Sequence, residues 1–272
     1  LDHTVNLAYE AATADLNDIN MIDPYHMKAY GVTTVNYNRD VEIFPVLNAI
    51  FMKIYGQSPY QSPTDMGVNM VGNSICDDEV CREASRQEII RRYFKALVGV
   101  ANGTRTEEEL NKLELLMQQE ELLPTDRNVV PPARSRAEAS HTAVAAIELH
   151  DGRIVTGKAG ELLGSSAAVL MNALKDLAGI PHKELILSPE SIAPIQTLKT
   201  QYLGSKNPRL HTDEVLIALS ATAANNERAA LALKQLPKLR GCQMHSTVMI
   251  PSVDQKTFKK LMCEVTCDAK TE

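Results

Sequence analysis

An apolar, β-leaning stretch runs from Thr142 to Leu149, and a second begins at Arg153 and reaches Gly157. Between them stands His150-Asp151-Gly152, and Asp-Gly is a strong tight-turn signal. The pattern predicts a hairpin. Apolar residues then change spacing. Val169, Leu170, Leu174 and Leu177 recur as on one face of a helix, with Ser165 or Ser166 as its cap. Gly179 predicts its end, and Pro181 keeps it from resuming.

The rest of the chain is read against that stretch. Helical patterns are predicted over residues 4–17, from Pro24 to Gly31, and from a cap at Asp40 to Gly56, with Pro45 in the first turn. Val32 to Tyr37 leans towards strand, and 57–74 is a polar loop. A long helix over 78–100 carries Arg82, Arg86, Arg91 and Arg92 interleaved with Glu79, Glu83 and Glu88, which predicts a salt-bridged solvent face. Thr106 to Glu109 is a capping box for a helix reaching Leu122. Residues 123–140 are rich in Pro and Arg with little apolar periodicity, and read as a linker. Beyond the hairpin and its helix come a short strand over Glu184–Leu187, a helix from Ser188 to Leu203, and helical sequence from His211 to Leu236 broken near Asn225. A central strand over Met244–Ile250, a helix over Asp254–Leu261 and an edge strand over Cys263–Cys267 follow. Alternating strands and helices predict an α/β layer. The chain divides into a mainly helical, Asn/Asp-rich domain over 1–130 and a three-layer α/β/α domain over 131–272.

Composition narrows the function classes. The net charge of −6 argues against a nucleic-acid binder, and no apolar run approaches a membrane span. Five cysteines without a regular framework point to a reducing, cytoplasmic setting. The first 130 residues carry −9 and the remainder +3, a balance that suits two solvated surfaces, or a mildly basic second half facing an anionic ligand or the acidic first half. The first residue is not Met and the sequence opens almost directly on a helical pattern, so a fragment is expected.

Two resemblances add to this. The hairpin followed by a helix resembles the cytidine-deaminase-like fold. That family's zinc ligands and catalytic Glu are missing, because the helix opens Gly164-Ser165-Ser166-Ala167-Ala168 and a second candidate opens Ser188-Pro189-Glu190-Ser191-Ile192. Zinc deamination needs three N/S ligands and a Glu proton shuttle, so the chemistry is rejected and a zinc-free core of that type is expected. Asn6 to Asp15, Met21 to Pro24, Val35 to Asp40, Ser62 to Asn69 and Arg240-Gly241-Cys242 resemble the bacterial family called domain of unknown function 1846. The resemblance implies members about twice this length, with an amino-terminal domain carrying a Gly-rich, nucleotide-binding-like loop. It therefore implies a carboxy-terminal part that pairs with that domain. No protease motif such as His-Glu-x-x-His or Gly-x-Ser-x-Gly is present.

The candidate chemistry lies in two places. Arg39, Asp40 and Asp65 are candidate catalytic groups, with Asn36, Asn38, Thr64 and Asn69 as ligand-binding neighbours on polar loops. The same residue types also cap helices and turns. Lys158, Ser165 and Ser166 are candidates for holding a small anion, because a helix start offers free N–H groups and a positive dipole end. The order is not that of a Walker A loop. Cys242-x2-His245 and Cys263-x3-Cys267 have zinc-compatible spacing, but such residues are more often simply buried, and no metal is expected. These features predict part of an enzyme acting on a nucleotide or phosphorylated small molecule, its cofactor unspecified. The alternative is a non-catalytic binding module or homo-oligomer.

Overall fold

The computed structural model describes residues 37–58 and 78–271; of 37–45 and 78–85 it describes the helical path alone. The chain divides into two compact units, residues 1–96 with 105–123, and 97–104 with 124–272. It is a mixed α/β protein with helices predominating.

The first unit shows α1 (Tyr37–Tyr55), most of α2 (Asp78–Ala101) and α3 (Glu107–Gln119). Because α1 begins at Tyr37, Asp40 lies inside its first turn rather than capping it. Pro45 sits well within the helix, so the Val41 carbonyl lacks its usual partner. On α2, Glu88 takes both Arg91 and Arg92, at 2.6 and 2.8 Å. These side chains are only 8% and 12% exposed, so this stretch is not the expected solvent face. Thr106 and Glu109 form the predicted capping box on α3. The expected helices before residue 36, the strand expected over 32–37 apart from Tyr37, and the loop expected over 57–74 apart from its first two residues lie outside the described residues; Tyr37 itself is helical.

The second unit is built on four strands, β1 (Val144–Glu148), β2 (Ile154–Lys158), β3 (Gln243–Ser246) and β4 (Glu264–Cys267). Their order is β2-β1-β3-β4. β1 runs antiparallel to both neighbours, while β3 and β4 are parallel. The predicted hairpin is present, with Gly152 at φ 82° in its turn. Four strands fix a mixed layer; they do not establish a cytidine-deaminase-like core.

Alternation along the strands separates two faces. Ala145, Ile147 and Met244 face the main core, with Leu170 and Leu174 of α5 (Ser165–Leu177). Ala146 faces Val129 and Ala133 at the start of α4 (Val130–Ser140). The expected linker is therefore a helix across the sheet. Its Pro131 and Pro132 fall in the first turn, where a missing N–H costs nothing.

The remaining elements are 3₁₀ turns over Pro124–Asp126 and Leu236–Leu239, α6 (Pro189–Thr197) with a π-helical turn over Leu198–Tyr202, α7 (Thr212–Ala223), α8 (Glu227–Leu233) and α9 (Ser252–Lys260). The predicted break between α7 and α8 is made by Asn226, whose side chain accepts from the Arg228 and Ala229 amides. The strand expected over Glu184–Leu187 does not form. Buried Lys175 instead takes the carbonyls of His182 and Glu184, at 2.7 and 2.5 Å, which occupies backbone a ladder would need. β3 ends at Ser246 rather than Ile250, where Val248 N turns back onto the Ser246 hydroxyl.

Candidate functional site

Two helices of the second unit start side by side. Residues 162–164 run parallel to 209–211: Leu210 N donates to Leu162 O at 2.9 Å, and Gly164 N donates to Leu210 O at 3.3 Å. Leu163 and Leu210 are the bridged pair. One residue further along each chain stand the caps, Gly164 for α5 and His211 for α7. The expected Ser cap on α5 is thus corrected. Gly164 takes the cap position in extended backbone, and Ser165 and Ser166 are the first helical residues.

The two starts are filled differently. At α7, Thr212 donates its N–H and its hydroxyl to one Asp254 oxygen, each at 2.8 Å. His211 N donates to Glu214 at 2.7 Å, and Glu214 N to Asp213 at 2.8 Å. Asp254 comes from the first turn of α9 and is buried. At α5 no side chain caps the helix, and its first backbone hydrogen bond is Ala168 N to Gly164 O. The amides of Ser165, Ser166 and Ala167, and both serine hydroxyls, meet no hydrogen-bond partner among the described residues. These residues are 7%, 4% and 0% exposed.

At the first helical position of α7, Thr212 shows that amide and hydroxyl can meet a single acceptor, and Ser165 holds that position in α5. Ser165 therefore offers the donor pair, amide plus hydroxyl, that Thr212 already gives to a carboxylate. An amide buried with no partner would cost about 1–3 kcal/mol. An anion at the start of α5 would satisfy several at once, aided by the helix dipole.

His211 lies beside this start. Its Nδ1 is 3.4 Å from the second oxygen of Asp254, and its side chain is 24% exposed. The Asp254 hydrogen bond raises the His211 pKa, against the opposing effect of burial. Lys199 Nζ donates to Glu214 at 2.7 Å and to the Arg209 carbonyl at 2.6 Å. With Asp254 as partner, the protonated ring is favoured over that of a free imidazole.

A second polar set lies on the α4 face of the sheet. Arg127, 1% exposed, donates to Thr266 Oγ1 at 3.0 Å, to the Glu264 and Met244 carbonyls at 2.8 and 3.2 Å, and to Gln243. His245 Nδ1 is 3.0 Å from Thr266 Oγ1, and its Nε2 is 3.5 Å from Asp268. Arg134 of α4 donates twice to Asp268, at 3.2 and 2.6 Å. Burial pushes Asp268 up, but hydrogen bonds from His245 and Arg134 overcome it and hold the pKa at about 2. Burial lowers His245. This set ties α4 across β3 and β4.

The zinc-compatible spacings do not converge. Cys242, Cys263 and Cys267 belong to the main core, while His245 points to the opposite face. Burial raises the Cys242 pKa to about 11 and raises both other thiols. Among the described residues no three His, Cys, Asp or Glu side chains group as metal ligands would.

Of the residues singled out from sequence, Ser165 and Ser166 meet at the α5 start. Lys158 does not join them. It ends β2 on the same face as Thr156, which takes Arg136 of α4, whereas Gly157 faces α5. Asn38, Arg39 and Asp40 lie in the first turn of α1, where only the backbone is described, and Asn36, Thr64, Asp65 and Asn69 lie outside the described residues. Sequence reasoning read His211 as a helix start and missed Asp254 as its partner, which comes from 43 residues away.

Comparison with known proteins places the chain. Residues 1–121 match the amino-terminal model of domain of unknown function DUF1846, and residues 125–272 match its carboxy-terminal model. A UPF0371 protein of Corynebacterium aurimucosum is 58% identical over 98% of this chain and 54% of its own length. One from Corynebacterium efficiens is 57% identical over 99% of this chain, and one from Streptococcus thermophilus is 54% identical over 98%, each with 54% of its own length covered. The chain thus spans about half the length of the curated relatives it matches. The expectation of a carboxy-terminal part alone is corrected, since both family models match. No described helix is long and apolar enough to cross a membrane. The chain belongs to the DUF1846 (UPF0371) family.

Proposed function

We propose that the start of α5 binds the phosphate or carboxylate group of a small molecule, and that the chain is part of a cytosolic enzyme acting on a nucleotide or another phosphorylated compound. The observation that carries this is the contrast between the two neighbouring starts. Thr212 spends its amide and hydroxyl on Asp254, while Ser165 offers the same pair, and Ser166 and Ala167 add to it. In this reading Arg39, Asp40 and Asp65, with Asn36, Asn38, Thr64 and Asn69, act with the portion of the family's length that this chain does not span. Lys158 contributes charge at most from a distance, given its face of the sheet.

A thermal-shift series with inorganic phosphate, acetate, nucleoside phosphates and sugar phosphates tests the reading. A ligand of the native state raises the melting temperature by mass action. A rise with phosphate that Ser165→Ala and Ser166→Ala diminish supports it. No rise with any anion, or a rise indifferent to both serines, overturns it.

One observation favours a second reading, a homo-oligomeric or binding module. Val46, Ile50 and Ile54 form an exposed apolar stripe on α1, and Tyr202, Leu203 and Ile217 are exposed in the second unit. Exposed apolar surface of this kind marks contact sites. Solution mass, with and without Tyr202→Glu, tests that reading.

A further inference from the structure

We infer that His211, steadied by Asp254, is the proton-carrying member of the α5 anion site and meets the bound group directly. The inference rests on the proposed anion binding at α5 and adds to it a residue and a pH dependence.

The geometry is local. Gly164 and His211 each follow the bridged pair Leu163–Leu210, and Gly164 N is itself bonded to Leu210 O. Successive Cα atoms are about 3.8 Å apart, so His211 begins one residue from an atom that touches the α5 cap. Its ring is steadied at one edge. Nδ1 faces a carboxylate already anchored by the Thr212 amide and hydroxyl, which leaves Nε2 as the edge for a second partner. A partly exposed ring with one nitrogen held by a carboxylate is arranged to give or take a proton at the other.

Charged groups from several elements surround the ring. Asp254 of α9 faces the ring. Glu214 of α7 and Lys199 of the π-helical turn form an ion pair beside it, and Asp213 follows on α7. Arg209 precedes the cap and lends its carbonyl to Lys199. Lys199 balances Glu214, and protonated His211 balances Asp254. An anion seated on α5 would therefore meet a locally neutral surface when His211 is charged, and a negative one when it is not. The step involves only a proton: Nε2 donates it to the bound anion or to water and regains it from solvent.

The test follows the His211 ring by nuclear magnetic resonance across pH in the full chain, with and without inorganic phosphate. The chain with Ser165→Ala and Ser166→Ala together serves as the control. Phosphate should raise the His211 titration midpoint by about one pH unit, which corresponds to roughly tenfold tighter binding to the protonated form. The shift should vanish in the double-serine variant, while His211→Gln should still bind phosphate with weaker pH dependence. Phosphate that perturbs the Ser165 and Ser166 amides without moving the His211 midpoint overturns this inference and leaves the anion site standing. Phosphate that perturbs neither overturns both.

Discussion

Gly157 of β2 stands against the backbone of Val169 in α5: a Cβ on Gly157 would fall 2.1 Å from the Val169 amide nitrogen and 2.5 Å from the Ala168 carbonyl carbon. Backbone, not a flexible side chain, occupies that space. Gly157→Ala must then push the helix off the sheet, and we expect it to cost roughly 3 kcal/mol or more, at the upper end of overpacking changes. Urea unfolding of the variant checks this. A loss under about 1 kcal/mol would mean that α5 does not pack so closely.

Arg127 ties the 3₁₀ turn before α4 to both parallel strands through Thr266, Gln243 and the Met244 and Glu264 carbonyls. Removing it takes one donor each from Thr266, Gln243 and the two carbonyls. Arg127→Met should destabilise the second unit by roughly 3 kcal/mol, and Arg127→Lys should recover little, since one ammonium cannot span the fork. Equal stability of the Lys variant and the native chain would contradict the account.

The two paired histidines impose opposite pH dependences. Burial holds the folded pKa of His245 below the ordinary 6.5, so the unfolded chain takes up that proton first and stability falls as pH drops below about 6.5. Asp268 adds a second loss as pH falls from its ordinary 3.8 towards about 2. His211 is raised by Asp254, so its contribution is full below 6.5 and disappears as pH rises through the raised value. His211→Gln should therefore lessen the fall of stability as pH rises above about 6.5. Denaturant midpoints across pH check the slope, and an unchanged slope would remove His211 from this balance.

In the first unit, Thr106→Ala breaks the capping box on α3 and should cost about 1 kcal/mol. Hydrogen exchange at the Glu107 to Leu110 amides should rise with it. Unchanged exchange would show that the cap does not hold the helix end.

The legible parts of this chain were the local ones. Asp151-Gly152 gave the hairpin, Gly179 the end of α5, Thr106 and Glu109 the start of α3, and Asn226 the break between helices, because each acts through backbone a few residues away. Contacts distant in sequence were not legible. Pro131 and Pro132 read as a linker, yet α4 forms because Arg134 reaches Asp268 and Ala133 packs on Ala146. Glu184 to Leu187 has strand composition, but Lys175 claims its backbone. Cys242 and His245 have metal-like spacing, and the pleat of β3 sends them to opposite faces. At the candidate site, Ser165 and Ser166 were found from their place after the hairpin. Asp254, which makes the neighbouring helix start the informative comparison, carries no local signal.

The most direct test of the central claim is to titrate inorganic phosphate into isotope-labelled chain and follow the Ser165, Ser166 and Ala167 amides. Amides that gain an anionic acceptor shift downfield together. The account predicts a saturable, concerted shift at these three positions, small changes at Thr212 because Asp254 already fills that start, and loss of the shift in the double-serine variant. Phosphate that leaves the three amides unmoved while the chain remains folded would contradict it.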